Sequence, residues 1–281
     1  MFDETDIKEA VRDRYAGHAA EGTSCCSPSV ARAGAASCCG PSGASVSEKL
    51  GYDAGDLAGI PEGADLGLGC GNPLARLELK EGETVVDLGS GAGIDCFLAA
   101  KRVGPTGHVI GVDMTPEMLA RARRNAQEGG YGNVEFRLGE IEHLPVEDGT
   151  GDAIISNCVV NLVPNKRQVF ADAFRALKPG GRFSVSDIVL LGEMPLQIRD
   201  SVEAYVSCLS GAILRDDYLK LIEEAGFVDV AVTESRSFTI GDVVADDLVQ
   251  EFVRQTGATT DELQAAAALF QSVRVSARKP A

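Results

Sequence analysis

The chain has 281 residues, 44% of them hydrophobic, so it can bury one large core and still carry a smaller appendage. The formal net charge of −16 opposes contact with phosphate backbones, and we expect a small-molecule substrate rather than a nucleic acid. The acidic start MFDETDIKEA has no apolar signal core, and no stretch approaches the roughly eighteen apolar residues of a membrane span, so we expect a cytoplasmic protein without a membrane partner.

The first predicted element is an amphipathic helix over residues 4–20. Ile7, Val11 and Tyr15 recur every four residues and would line one face of it. We expect this helix to pack across the main domain. From 22 to 47 the composition is dominated by Gly, Ala, Ser and Pro, with almost no large apolar residue, which is typical of a mobile segment.

That segment holds four of the eight cysteines, as the adjacent pairs Cys25–Cys26 and Cys38–Cys39. In a cytoplasmic protein the thiols should be mostly reduced and therefore available for catalysis or for soft ions. So polar a segment cannot place them in a core. One alternative is a metal knot, although adjacent cysteines lack the C-x2-C spacing that lets two thiolates hold one tetrahedral ion.

After Gly82, apolar strands alternate with helical stretches of ten to fifteen residues, as βαβ units require. Strands are predicted near residues 84–89, 108–113, 134–138, 152–157 and 181–189, and helices near 94–103, 116–129 and 165–177. We expect Thr115 to cap the second helix, with Pro116 at its first position. The sequence KPGG after Leu177 should stop the third helix and turn into the fifth strand. This pattern predicts an α/β protein with a doubly wound, Rossmann-like sheet.

The regions on either side of the sheet complete the predicted organisation. Short helices or loops that cap the sheet edge are expected before Gly82, and a helical region over 196–226 carries Cys208. The later segments VDVAVTES and SVRVSARK alternate in polarity and could extend the sheet or pack beside it. We therefore divide the chain into an N-terminal helix and flexible segment (1–47), a nucleotide-binding domain (48–190) and a C-terminal part (191–281).

The sequence TVVDLGSGAG breaks from a buried strand into Gly89, Gly91 and Gly93 just before a helix, which indicates a nucleotide site. The glycines are spaced as GxGxG rather than GxGxxG, which argues against NAD. Asp113 ends the next strand about twenty residues later, where a carboxylate can accept hydrogen bonds from ribose hydroxyls. Asp87, at the end of the first strand, could bind either the cofactor or an N–H group of the loop.

Four motifs within roughly residues 80–190, VVDLGSGAG, GVDM, GEIEHLP and KPGGRF, resemble the class I S-adenosylmethionine-dependent methyltransferases. Three further motifs, SNCVVNLVPNK, GLGCGNP and SCLSGA, narrow the resemblance to the arsenite methyltransferases, from Tyr15 to Lys279. Each of these three contains a cysteine, which a generic methyltransferase has no reason to carry.

The resemblance implies the positions of two sites. For S-adenosylmethionine it implies Asp87, Gly89, Gly91, Gly93, Asp113, Met114, Glu140, Ile141 and Asn157. For trivalent arsenic it implies the thiolates of Cys70, Cys158 and Cys208, a ligand set that suits so soft a centre. A further N-terminal thiol that forms a disulfide falls on Cys25 or Cys26, and the pair Cys38–Cys39 leaves this choice open.

The implied reaction is methylation of arsenite and methylarsenite, as in arsenic detoxification, and it needs no general base. The arsenic lone pair attacks the sulfonium methyl group in line, so the enzyme contributes mainly positioning. Electrons must then return to arsenic through a disulfide, which a cellular thiol reductant of the glutathione or thioredoxin type would reduce.

Two alternatives remain beside this hypothesis. One is a methyltransferase for another small molecule, in which the thiols are incidental. The other is a thiol-based arsenic or metal scavenger that kept the fold without turnover. Cys96, on the helix after the glycine loop, is interpreted as a small core residue, because cysteine is among the most buried residue types.

Overall fold

A computed structural model describes residues 3–21, 45–193, 211–238 and 259–281. The strands are β1 Thr84–Leu88, β2 His108–Asp113, β3 Val134–Leu138, β4 Gly151–Asn157, β5 Leu177–Leu190, β6 Val228–Ser237 and β7 Phe270–Arg278. The helices are α1 Glu4–Glu21, α2 Val46–Lys49, α3 Ala54–Ala58, α4 Ile94–Val103, α5 Pro116–Gly129, α6 Lys166–Ala176, α7 Arg215–Glu224 and α8 Thr260–Ala267. Within these ranges, no helix combines the length and apolar character needed to cross a bilayer.

The seven strands form one sheet in the order β3-β2-β1-β4-β5-β7-β6, which confirms the predicted doubly wound architecture. Strands β1 to β5 are parallel, and β7 extends the sheet by pairing antiparallel with both β5 and the edge strand β6. The chain progresses outward from β1 on one side and from β4 on the other, so the order reverses between them. Ligands of open α/β sheets bind outside the carboxyl ends of the strands at such a reversal, which places the candidate site here.

Side-chain alternation along the central strands divides the core between the two faces of the sheet. Val85 and Val86 of β1 are both fully buried but point to opposite faces, where they join separate apolar clusters. The Val86 cluster includes Phe170 of α6, and the Val85 cluster includes Phe97 of α4. Burial on both faces fixes the register of the parallel strands, and therefore fixes where their carboxyl ends lie.

Helix α1 confirms the amphipathic pattern of the N-terminal sequence. Val11 is 1% exposed, and α1 packs against α5. The segment over 22–47 was predicted to be mobile, and its last residues, from Ser45 onward, belong to the described structure. The side chains of Ser45 and Glu48 form a reciprocal capping box that starts α2. The two cysteine pairs between 22 and 44 lie outside the described residues.

Two local predictions differ from the structure in detail. Strand β5 begins at Leu177 instead of near 181, because the backbone there already pairs with β4 and with the C-terminal residues, at Gly180 and Lys279. Thr115 does occupy the N-cap of α5, but its side chain makes no capping hydrogen bond. Its backbone N–H instead donates to Asp113, which binds the helix start to the end of β2.

Candidate active site

A cavity of about 330 Å³ opens at the carboxyl ends of β1, β2 and β4, within the range of roughly 300–1,000 Å³ that is usual for small-molecule sites. Of the residues predicted for the two sites, those that line it are Asp87, Gly89, Gly91, Asp113, Met114, Ile141, Asn157 and Cys158. Gly93 and Glu140 do not line it, whereas their neighbours Ala92, Gly139 and Glu142 do. One cavity therefore collects residues from the glycine loop, the ends of β2 and β4, and one of the three predicted thiols.

The glycine loop adopts a backbone that other residues would strain. Gly89, Gly91 and Gly93 have φ values of +71°, +52° and +100°, in the region that favours glycine. A β-carbon at Gly89 would collide with Val159, and one at Gly93 would meet the ring of Phe97, whereas Gly91 faces open space. Only Gly91 therefore leaves room for a ligand directly over the backbone, while Gly93 is required by packing.

Asp113 holds the glycine loop in place. Its carboxylate accepts the Gly91 N–H at 2.9 Å and the Thr115 N–H at 2.8 Å. Burial raises the pKa of Asp113, and these two backbone hydrogen bonds oppose that rise. Since each carboxylate oxygen can accept more than one hydrogen bond, Asp113 can still bind a ligand hydroxyl.

Two further carboxylates, Asp87 and Asp95, lie in the wall of the cavity and are almost fully buried. Burial and, second, the charge of Asp95 raise the pKa of Asp87 well above its usual value. Burial raises the pKa of Asp95 to about 6, and hydrogen bonds from Tyr52 and Asn157 oppose that rise. Such buried carboxylates disfavour ionisation unless a cation approaches them, so the cavity is suited to a positively charged ligand. Asp95 was missed from the sequence, although an acidic residue in the first helical turn after a glycine loop could have indicated it.

Asn157, predicted to contact the cofactor, binds the loop that carries Cys70. Its Oδ1 accepts the Cys70 N–H at 3.1 Å, and its Nδ2 donates at 2.8 Å both to the carbonyl of Gly71 and to the hydroxyl of Tyr52. The Tyr52 hydroxyl in turn donates to Asp95. A continuous hydrogen-bonded path therefore joins the carboxylates of the cavity to the Cys70 loop.

The thiols of Cys70 and Cys158 converge at the edge of the cavity although they are far apart in sequence. Their sulfur atoms and one carboxylate oxygen of Asp187 all lie within 4.8 Å of one another. Cys158 directly follows β4 with φ of +58°, and its N–H donates to the carbonyl of Ser186 at 2.7 Å. A non-glycine residue in this region costs about 1–2 kcal/mol, and such strain is found preferentially at functional sites.

Asp187, on β5, was also missed from the sequence, where it follows Ser184 and Ser186 as one of several polar residues of the strand. It is fully buried, and burial raises its pKa to about 7, although the Ile188 N–H and the charge of Lys166 favour its ionised form. Tyr218 of α7 donates its hydroxyl to Asp187 at 3.1 Å. Tyr218, from the C-terminal part of the chain, therefore holds Asp187 in place beside the two thiols.

Helix α1 forms one wall of the cavity, which the sequence did not predict. Lys8, Arg14 and Tyr15 line the cavity, and the Lys8 ammonium pairs with Glu140 at 2.7 Å and with Glu142 at 3.1 Å. These ion pairs bind α1 to the loop after β3. Glu140 is therefore engaged with α1 at the cavity rim.

The other cysteines divide into one described residue and five that are not. Cys208, Cys25, Cys26, Cys38 and Cys39 lie outside the described residues. Cys96 is fully buried among apolar side chains, and its thiol donates to Asp87 at 3.2 Å. Burial raises the pKa of Cys96 well above its usual value, so this thiol stays protonated and is a poor nucleophile.

We expect Cys96→Ser to keep the methyl transfer that the sequence resemblance implies largely intact and to lower the free energy of unfolding by about 1–2 kcal/mol. The serine hydroxyl can still donate to Asp87, but it replaces a weakly polar thiol in an apolar cluster. Denaturant unfolding and a methylation assay on the same preparation measure both quantities. Loss of activity in the folded variant would instead add Cys96 to the reactive thiols.

Comparison with known proteins gives a consistent result. A family described as "Methyltransferase domain" matches residues 79–226. An arsenite methyltransferase of Halobacterium salinarum is 49% identical over 89% of this chain and 65% of its own length. One from Aquipseudomonas alcaligenes is 41% identical over 62% of this chain and 52% of its own length. The chain therefore spans about half to two thirds of the length of these relatives.

A solved structure supports the same assignment. The arsenic(III) S-adenosylmethionine methyltransferase of Chlamydomonas reinhardtii superposes with a TM-score of 0.60 at 32% identity, covering 84% of this chain and 73% of that one. Two other methyltransferases, one for phosphoethanolamine and one for geranyl diphosphate, superpose with TM-scores of 0.56 and 0.54 at 22% and 21% identity, which shows the shared fold alone.

Proposed function

Because the chain belongs to the methyltransferase domain family and, within it, to the arsenite methyltransferases, we propose that it methylates trivalent arsenic with S-adenosylmethionine as methyl donor. One observation carries this proposal: the thiols of Cys70 and Cys158 meet at the edge of the cavity that the glycine loop forms. A methyltransferase for another substrate does not need the thiol pair, and a scavenger does not need the cavity.

The cavity fits a cationic nucleoside cofactor. S-adenosylmethionine carries a sulfonium and an ammonium group, and Asp87, Asp95 and Asp113 supply the opposite charge in the cavity wall. The open backbone at Gly91 leaves space for the cofactor, and the remaining acceptor capacity of Asp113 suits its ribose hydroxyls. Met114 and Ile141 provide apolar surface for the adenine.

The thiols supply the arsenic site. When bound, S-adenosylmethionine provides an electrophilic methyl group, and Cys158 faces the same cavity. Cys70 and Cys158 would hold arsenic as thiolates, with Cys208 as the third ligand of arsenite. The arsenic lone pair is the nucleophile, so the contribution of the chain is to fix the position of arsenic relative to the methyl group, through the constrained backbone of Cys158 and the hydrogen bonds of Asn157 to the Cys70 loop.

Each transfer requires two electrons before arsenic can react again, because methylation raises arsenic from the +3 to the +5 state. A free thiol that attacks the sulfur of an arsenic-bound thiolate forms one disulfide, releases its proton and breaks that As–S bond, and the electron pair of the broken bond returns arsenic to +3. We assign this step to Cys70 together with Cys25 or Cys26, with the pair Cys38–Cys39 as the alternative. An external thiol of the glutathione or thioredoxin type would then reduce the disulfide.

The direct test is incubation with arsenite, labelled S-adenosylmethionine and a thiol, followed by speciation of the arsenic. Label in methylated arsenic supports the proposal. A protein that binds arsenite stoichiometrically without producing methylarsenic would be a scavenger. Binding of the cofactor without any arsenic binding would indicate another small-molecule substrate.

We expect Cys70→Ser to abolish turnover of arsenite while keeping part of the activity on methylarsenite. Arsenite needs three thiols, whereas methylarsenite already has one valence occupied by carbon and needs only two. The same split is expected when Cys25 and Cys26 are both replaced by serine. The measurement is product speciation on each substrate separately, which gives the activity on arsenite and the activity on methylarsenite. Cofactor binding checks that each variant is folded. Equal loss on both substrates would contradict this division of labour.

A further inference from the structure

The carboxylate of Asp187 is the unexplained group at the thiol pair. It is fully buried, and one of its oxygens lies within 4.8 Å of both the Cys70 and the Cys158 sulfur atoms. Burying a charged or polar group without compensation costs several kcal/mol, so such a residue is retained only where contacts stabilise it. Neither an arsenic site made of thiolates alone nor the cofactor cavity explains why a carboxylate is buried at this position.

The contacts of Asp187 fix its orientation and leave one oxygen with room for another donor. Its Oδ1 accepts hydrogen bonds from the Nδ2 of Asn161 at 2.8 Å and from the Ile188 N–H at 2.9 Å. Among the residues that the structure describes, its Oδ2 accepts one hydrogen bond, from the Tyr218 hydroxyl at 3.1 Å. A carboxylate oxygen has two acceptor positions, so Oδ2 can bind one further donor.

The chemistry of arsenite supplies such a donor. When As(OH)₃ reacts with two thiols, two As–O bonds break and two As–S bonds form, and the hydroxides leave with the thiol protons as two water molecules. One hydroxyl group stays on arsenic until a third thiol replaces it. Methylarsenite has only two hydroxyl groups, and both leave when it binds two thiols.

We propose that Asp187 is a substrate-positioning residue that accepts a hydrogen bond from the hydroxyl group of arsenite held by Cys70 and Cys158. This inference rests on the proposed function. It assigns to the site an oxygen-recognising element that distinguishes arsenite from its methylated product, because only arsenite keeps a hydroxyl at the two-thiol stage. Asp187 thereby holds arsenite in place while the third thiol approaches.

The test uses the full chain with Cys208→Ser, in which arsenite can bind two thiols of the site and keeps its hydroxyl. Calorimetry measures the affinities for arsenite and for methylarsenite with and without Asp187→Asn. In the variant the amide oxygen stays with Asn161 and Ile188, and an NH₂ group replaces the acceptor at Oδ2. We expect about tenfold weaker binding of arsenite, the usual effect of losing one charge-assisted hydrogen bond, and unchanged binding of methylarsenite.

Asp152→Asn is the matched control, because Asp152 also accepts a backbone N–H but lies at the amino end of β4, away from the thiols. It should change neither affinity. Tyr218→Phe provides a second test that keeps Asp187 itself. Without the tyrosine hydroxyl the carboxylate is less well held, so arsenite binding should weaken selectively but by less, about threefold.

Equal weakening of both arsenicals would mean that the variants only displace the thiols, and unchanged binding of both would mean that the hydroxyl does not contact Asp187. Either result overturns the inference and leaves the proposed function intact. Two results would show that the arsenic site itself is wrong: the parent protein binds neither arsenical, or the Cys158→Ser variant binds both as tightly as the parent does. Either result overturns the inference as well.

Discussion

Cys158→Ser should abolish methylation of both arsenite and methylarsenite, lowering turnover by about a hundredfold or more. Cys158 lines the cavity at the glycine loop and lies next to Cys70, so under the proposed function it is the thiol best placed to hold arsenic beside the methyl group. A serine hydroxyl is a hard donor that binds trivalent arsenic poorly. The backbone strain at this position changes little, because serine adopts the same conformation at a similar cost.

Product speciation on the two substrates measures the effect, and calorimetry with S-adenosylmethionine checks that the variant is folded. Cys96→Ser is the matched control, because it makes the same chemical change at a buried thiol that faces Asp87 instead of arsenic. Cys208→Ser should resemble Cys158→Ser on both substrates. Full activity of Cys158→Ser on both would refute the arsenic site.

Asp113→Ala should weaken the binding of S-adenosylmethionine by about 2–3 kcal/mol, or roughly a hundredfold in Kd. Two losses combine in this variant. The ribose loses a charged hydrogen-bond acceptor, and the N–H groups of Gly91 and Thr115 lose the carboxylate that holds the glycine loop against the start of α5. Asp113→Asn keeps one acceptor oxygen and should therefore have a smaller effect.

Calorimetry in the absence of arsenic measures this affinity directly. Asp152→Ala is the control, since it also removes a carboxylate that accepts a backbone N–H and pairs with a lysine, but at the opposite edge of the sheet. The control should lower the free energy of unfolding without changing the affinity. An unchanged affinity in Asp113→Ala would remove this residue from the cofactor site.

The parallel sheet could be predicted because its signals are local. Strands such as β1 and β4 are buried on both faces and therefore appear as short apolar runs, and the helices between them end at glycine and proline turns. The glycine loop was equally readable, since positive φ angles at Gly89, Gly91 and Gly93 restrict these positions to glycine. The separate roles of the three glycines could not be predicted from the sequence, because Gly93 is required by the packing of aromatic rings and does not line the cavity.

The carboxylates around the site were decided by the tertiary structure. Asp95 and Asp187 belong to elements that meet only after the sheet has formed. The position of Asp95 just after the glycine loop is a local signal, whereas nothing in the neighbouring sequence distinguishes Asp187 from an ordinary polar residue. That Asn157 contacts the cofactor stays a prediction: Asn157 lines the cavity, and within the chain its hydrogen bonds go to the Cys70 loop, to Tyr52 and to Asp95. Contacts across so many residues depend on the complete packing of the chain.

The fold class, the glycine loop and the candidate thiols could be predicted from the sequence, because strand periodicity, glycine spacing and cysteine-containing motifs are properties of short segments. The meeting of Cys70 and Cys158, the contact of α1 with the cavity, and the position of Asp187 beside the two thiols became visible only in the folded chain. The physical reason is that convergence depends on where parallel strands end at one edge of a twisted sheet. Burial on both faces of the sheet sets the position of that edge, and the buried residues responsible lie far from the residues that meet there.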